Sequence, residues 1–257
     1  LLRSLIGYWH DHPALSYLFS GTAWPTPRVD ETRSDALYEL EIALAQLPAP
    51  GVPCPPGLID RVLRHLLVDV TGDPAGAQFC IARLDGDGPE ERAGLLRLQG
   101  LEMSPHGRMN LALQLLLRSL VARFWRTPYA PARLTRWGTQ LHDRFMLPYF
   151  IERDFAEVID DLNAHGYAVD AGWFAAQRAF RFPAMGDCVV EGIAVELRHA
   201  LEPGPGRGSA SGAPQSPDAS LERLQVRVTG LLADRYRLAV NGRPLPLTAT
   251  GRAGEFV

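Results

Sequence analysis

The chain contains no lysine; its 26 basic residues are all arginine. A Walker P-loop needs its lysine, as do Schiff-base and pyridoxal-phosphate enzymes, so these classes are excluded. Any phosphate handling falls to arginine forks, backbone N–H groups or a metal. Cysteine is scarce too. Cys54, Cys80 and Cys188 form an odd set without C-x-x-C spacing, so neither a disulfide framework nor a zinc site of that kind is indicated. A reducing cytoplasm is the expectation. No run reaches 18 apolar residues free of charge, so no membrane-spanning helix is expected. Charge of one sign is also missing. A net charge of −3 gives no basic footprint for nucleic acid and no polybasic patch for a membrane.

What remains is ordinary for a folded protein: 46% hydrophobic and 21% charged residues in 257 positions. A chain of this size buries about 75% of its unfolded surface and needs no staples. It begins at Leu1 inside a helical pattern and stops at Val257 in a strand pattern, so an interior piece of a longer protein is expected.

Leu2, Leu5, Ile6 and Trp9 predict a helix ending near His12-Pro13. "DALYELEIALAQL" reads two ways. As a strand it projects Glu39 and Glu41 together from one face. As a helix it buries Leu37, Leu40, Ala43, Leu44 and Leu47 and sets the two glutamates roughly 200° apart. Length favours the helix. "QFCIARL" reads as a strand, with Leu95–Leu101 as its partner. Residues 110–125 are apolar almost all round, apart from a stripe of Asn110, Gln114 and Arg118, which predicts a helix buried against a sheet. "RDFAEVIDDLNAHG" is amphipathic, with Gly166 as its stop, and Asp170 is an N-cap for the next helix.

Beyond Cys188 the period changes to that of strands. Residues 201–219 are rich in Gly, Pro and Ser and read as a linker or long loop. "LERLQVRVTG" alternates, and Asn241-Gly242 is a hairpin signal. The expected organisation is therefore a domain over 1–200, the 201–219 connector, and the start of a small antiparallel β module over 220–257.

Chemistry concentrates at "LLRLQGLEMSPHGRM", residues 95–109. On the strand, Leu95, Arg97, Gln99 and Leu101 share a face. Pro105 then opens a helix whose N-terminal N–H groups attract anions, next to His106 and Arg108. The alternative is a plain strand-to-helix turn with a capping acid and solvated charges. Arg28 is either a phosphate ligand or the partner of Asp30 or Glu31. His12, before Pro13, is more simply a capping or packing residue, and a metal site shared with His10 lacks a third ligand in the sequence. Cys80 sits mid-strand, where thiols are buried and inert, which weakens a thiol-hydrolase reading. Trp137, His142, Asp143 and Arg144 form a polar cluster that either closes a site or is a buried network.

Several long segments carry a resemblance: "HPALSYLFSG", "PRVDETRSDALYELEIALAQ", "LLVDVTG", "LEMSPHGRMNLALQLLLRSLVARFW", "RWGTQLHDRFMLPYF" and "ERLQVRV". Together they resemble the bacterial amidoligase family, which is associated with transglutaminase-like domains. The resemblance implies an α+β fold. Its main part would be the C-terminal portion of a glutamine synthetase-like catalytic domain, an antiparallel sheet backed by helices. It also implies an ATP- and Mg²⁺-dependent ligase joining a small-molecule or peptide carboxylate to an amine through an acyl phosphate. On this reading Arg28 and Arg108 neutralise phosphate, and Glu102 or His106 orders the corner. Arg97 and Gln99 line the nucleotide, and Glu39 and Glu41 hold metal if they lie on a strand.

The chain departs from the family where that chemistry is densest. The family has Glu–hydrophobic–Arg where this chain has Arg97-Leu98-Gln99. It has His-Arg-Ala-Glu-Phe-Cys-Ile-Asp where this chain has residues 75–82, "AGAQFCIA". An arginine about 5 Å from a divalent ion is repelled by about 6 kcal/mol at an effective dielectric near 20. The second expectation is accordingly a non-catalytic relative that binds a partner.

Overall fold

The computed structural model describes residues 1–20, 28, 36–69, 72–84, 94–202, 222–232 and 235–257. Helix α1 (Leu2–Asp11) buries Leu5, Ile6, Tyr8 and Trp9. It ends where His12 meets Pro13, because the residue before proline is driven out of the helical region. A single turn, α2 (Ala14–Tyr17), follows with every residue buried.

The ambiguous segment forms helix α3 (Ala36–Gln46), burying Leu37, Leu40, Ala43 and Leu44. Tyr38 and Ile42, which a strand would have placed with Leu40 and Leu44, point to solvent. Helix α4 (Leu58–Leu63) packs on α3.

Strands β1 (Phe79–Arg83) and β2 (Leu95–Leu98) form an antiparallel ribbon with Phe79 opposite Leu98 and Cys80 opposite Arg97. The connection between them, residues 85–93, lies outside the described residues. Phe79 and Ile81 anchor the ribbon in the core, which a two-stranded ribbon needs for stability.

Helix α5 (Gly107–Arg126) corrects one expectation. It packs against α1, against α7 (Pro148–Ala164) and against the turn at Ala171–Phe174, all helical, rather than against a sheet. Its buried face is Ala112, Leu113, Leu116, Leu120 and Phe124, while Leu111, Leu115, Val121 and Trp125 face outward. Helical neighbours on one side cover only a stripe, whatever the composition of the rest. Between α5 and α7 lies the short helix α6 (Gln140–Arg144).

Helix α7 buries Ile151, Phe155, Val158, Ile159 and Leu162, and the chain turns away at Gly166, which has φ +84°. Asp170 accepts a hydrogen bond from the Gly172 N–H ahead of α8 (Ala175–Arg181). The rings of Phe19, Phe155 and Phe174 meet edge to face where these elements converge.

The C-terminal sheet has the order β3 (Ala184–Val190), β4 (Ile193–His199), β5 (Leu224–Thr229), β8 (Glu255–Phe256), all antiparallel. The hairpin β6 (Ala239–Val240) and β7 (Arg243–Pro244) stands beside it. Asn241 and Gly242 turn it with φ +50° and +77°, as the sequence signal requires. Most of the 201–219 connector lies outside the described residues. The strands on either side of it, β4 and β5, are hydrogen-bonded neighbours in one sheet. That sheet docks on the helices: the Tyr149 N–H donates to Gln225 Oε1 at 2.8 Å, and the Leu201 N–H donates to the Met146 carbonyl at 2.8 Å. Among the described residues, no helix is long and apolar enough to cross a membrane.

Candidate active site

Several of the buried polar residues, Ser16, Ser20, Arg28, Ser104, Gln177 and Arg181, are linked around Ser16–Ser20 at the end of α2. The Ser16 hydroxyl accepts from Arg28 Nη1 at 3.3 Å and from Gln78 Nε2 at 2.8 Å, using both lone pairs. Arg28 is buried to 2% exposure and also donates to the carbonyls of Trp9 (3.1 Å) and His10 (2.8 Å). These carbonyls belong to the last turn of α1, whose oxygens lack helical partners and carry the negative end of the dipole. A buried guanidinium satisfies both demands. Three of its bonds are therefore directed at the end of α1 and at Ser16.

Gln78 leads from this floor to the ribbon. Its carbonyl accepts from the Gln99 N–H at 3.0 Å. Strand alternation places Gln78 and Cys80 on the same face as Gln99 and Arg97. Arg28 is thus linked through Ser16 and Gln78 to the segment that carries Gln99 and Arg97, although 69 positions separate Arg28 from Arg97. Arg97 is exposed and Cys80 is buried.

The corner itself is stitched to the same floor. The Glu102 N–H donates to the Phe19 carbonyl at 2.7 Å, and its carboxylate lies 3.9 Å from Arg181 Nη1. Arg181 is buried and donates to the Tyr17 carbonyl and to Ser20 Oγ. Burial lowers its pKa to about 10, with Glu102 opposing the shift. Gln177 donates to the Leu18 carbonyl and accepts from the Ser104 hydroxyl, both at 3.0 Å. Asn110 clasps Ser104 through both main-chain groups. The acid expected to cap α5 does not do so. His106 is the N-cap, its Nδ1 accepting from the Arg108 N–H at 3.1 Å, and the Arg108 side chain is exposed.

Sequence reasoning missed Ser16, Ser104, Gln177 and Arg181. Arg181 and Gln177 carry only the ordinary signature of an amphipathic helix, and their partners are main-chain oxygens more than 150 positions away.

The expected metal carboxylates do not pair. Because α3 is a helix, Glu39 and Glu41 point roughly 200° apart. Glu41 binds Arg136 at 2.9 Å and accepts from the Leu134 N–H at 2.6 Å. Desolvation raises its pKa, but these two bonds outweigh it and hold the carboxyl below its usual range. The cavity beside it, lined by Arg3, Gly7, Leu44 and Leu134 among others, measures about 50 Å³. That is room for water and not for a nucleotide. The cluster near Trp137 is tied to its surroundings mainly through main chain. Trp137 Nε1 donates to the His10 carbonyl, the carbonyls of His142 and Asp143 accept from Arg223, and Arg144 lies over the Phe150 ring.

A mixed α+β domain of antiparallel strands and packed helices, with a glutamine- and arginine-lined floor under a strand-to-helix corner, is the class of protein this geometry defines. A family model described as "Putative amidoligase enzyme" matches residues 1–257. The chain belongs to this amidoligase family. No curated protein and no solved structure matches it.

Proposed function

We propose that the protein serves a carboxylate–amine ligase reaction on a fold related to that of glutamine synthetase. ATP would transfer its γ-phosphoryl group to a carboxylate, releasing ADP. The amine nitrogen would then attack the acyl phosphate, and an amide would form as phosphate leaves. The match of the amidoligase family model over the whole chain carries this reading. Among the arginines near the corner, Arg97 and Arg108 are exposed and offer guanidinium forks to phosphate oxygens. Gln99 stands beside Arg97, and Glu102 with Arg181 fixes the corner on which they sit. The partners are a small-molecule or peptide carboxylate, an amine and a transglutaminase-like domain or protein. The odd set of three cysteines without C-x-x-C spacing and the need for ATP support a cytoplasmic setting.

Magnesium is held by carboxylates. The ribbon face presents Gln78, Cys80, Arg97 and Gln99, none of them an acid, and Glu41 is held by Arg136. These residues do not fit the ion. That observation favours a second reading, a non-catalytic relative that binds a partner.

One pair of measurements separates the two. The purified protein is mixed with ATP, Mg²⁺, candidate carboxylates and hydroxylamine, which converts an acyl phosphate to a hydroxamate. Nucleotide binding is followed by calorimetry. Hydroxamate and ADP in equal amounts support the ligase. No heat at millimolar nucleotide and no hydroxamate would overturn it. If the double substitution Arg97→Glu, Gln99→Arg then creates nucleotide binding, the native copy is the degenerate one.

A further inference from the structure

Helix α7 carries Asp154, Glu157 and Asp161 at helical spacing along one flank. Asp161 is matched by Arg123, which binds both its oxygens at 3.1 Å. Asp154 has no such partner. It is buried to 7% exposure, and its two oxygens face the Ala14 N–H and His12 Nδ1, each at 2.8 Å. Neither is a permanent cation. Glu157, one turn on, is exposed and lies 3.9 Å from Arg153. A nitrogen of His12, an oxygen of Asp154 and an oxygen of Glu157 lie within 4.8 Å of one another. The imidazole is held in place by the Tyr8 ring, 4.3 Å away between centroids.

A buried carboxylate without a fixed positive partner is costly, and a divalent cation removes that cost. One imidazole and two carboxylates suit zinc-type ions better than magnesium. Adjacent ligands each about 2.1 Å from a tetrahedral ion stand about 3.4 Å apart, so the 2.8 Å between His12 Nδ1 and Asp154 Oδ1 opens by about 0.6 Å on binding. We propose that His12, Asp154 and Glu157 form a binding site for a divalent transition-metal ion of the zinc class, with water completing the shell. On binding, the ion takes the place of the proton between Nδ1 and Oδ1, and the neutral ring carries its one proton on Nε2 instead. Glu157 reaches the ion by a change of side-chain rotamer. The site ties the end of α1 to α7, so occupancy stabilises the fold. It is separate from the ribbon face and independent of the ligase reading.

The test is titration of the intact protein with Zn²⁺ by calorimetry and with Co²⁺ by visible absorption. Cys54→Ser and Cys188→Ser are introduced as background to remove the exposed thiols. The expected result is one ion per chain, with a rise in melting temperature. Glu157→Gln, at an exposed position, keeps the fold by circular dichroism and weakens binding by at least about tenfold. His12→Gln removes the cobalt absorption. No stoichiometric uptake, or uptake unchanged by Glu157→Gln in folded protein, overturns the site.

Discussion

Arg28 shows how a single residue's partners decide its role. Its guanidinium satisfies two α1 carbonyls and the Ser16 hydroxyl, so Arg28→Ala leaves buried acceptors without donors. The expected loss is about 2–4 kcal/mol in urea denaturation. Arg28→Lys restores little, because a point charge cannot span both carbonyls. Tyr8 and Tyr129 make a pH prediction at the same scale. Burial, followed by the bonds their hydroxyls donate to Asp161 and Asp11, pushes both pKa values up. A raised folded value means that stability is fully present below the unfolded pKa of about 10. It is lost as pH rises through the folded value above that. Melting temperature should therefore fall in alkali, and Tyr8→Phe should make the fall shallower.

At the scale of elements, helix α5 has two unequal faces. Leu116→Ala and Leu120→Ala should each cost about 2–5 kcal/mol, since both side chains are fully buried. Leu115→Gln and Trp125→Gln should stay within about 0.5 kcal/mol in the same denaturation assay. The sheet has its own weak point. Gly230 has φ +85°, and a Cβ there would stand 2.9 Å from the Gly192 carbonyl oxygen. Gly230→Ala should cost more than about 1 kcal/mol, the left-handed penalty plus displacement of that backbone. Periodicity made most of these elements legible. The buried face of α7 and the Asn241-Gly242 turn match the pattern of their residues. The error at α5 has a physical origin: a run of leucines states that a helix is apolar, not how much of it a neighbour covers. The turn at Glu191-Gly192 escaped notice because glutamate rarely adopts positive φ, here +51°.

For the whole molecule, the question is whether helices and sheet unfold together. Strand β5 pairs with β4 across the connector, and Tyr149 and Arg223 bridge the sheet to the helices. Tryptophan fluorescence, dominated by the helical part, and far-ultraviolet circular dichroism should therefore follow one coincident urea transition. Two separated transitions would show that residues 220–257 form an independent module. The candidate site also belongs to this scale. Its residue types at 97, 99, 102, 106 and 108 stand together in the sequence, and one corner was legible from them. The floor beneath was not, because Ser16, Gln78, Gln177 and Arg181 are joined by bonds to main-chain oxygens that have no sequence signature.

By itself, the sequence determined most of the helices and strands, the turn at Asn241-Gly242, the arginine-only cation set and the amidoligase resemblance. Each of these rests on local periodicity, composition or long matching segments. Only the tertiary structure decided that Arg28 caps α1, that α3 separates Glu39 from Glu41, and that His12 meets Asp154. Those outcomes depend on which distant surfaces bury a group and which unsatisfied carbonyls or charges await it there. No spacing along the chain encodes that.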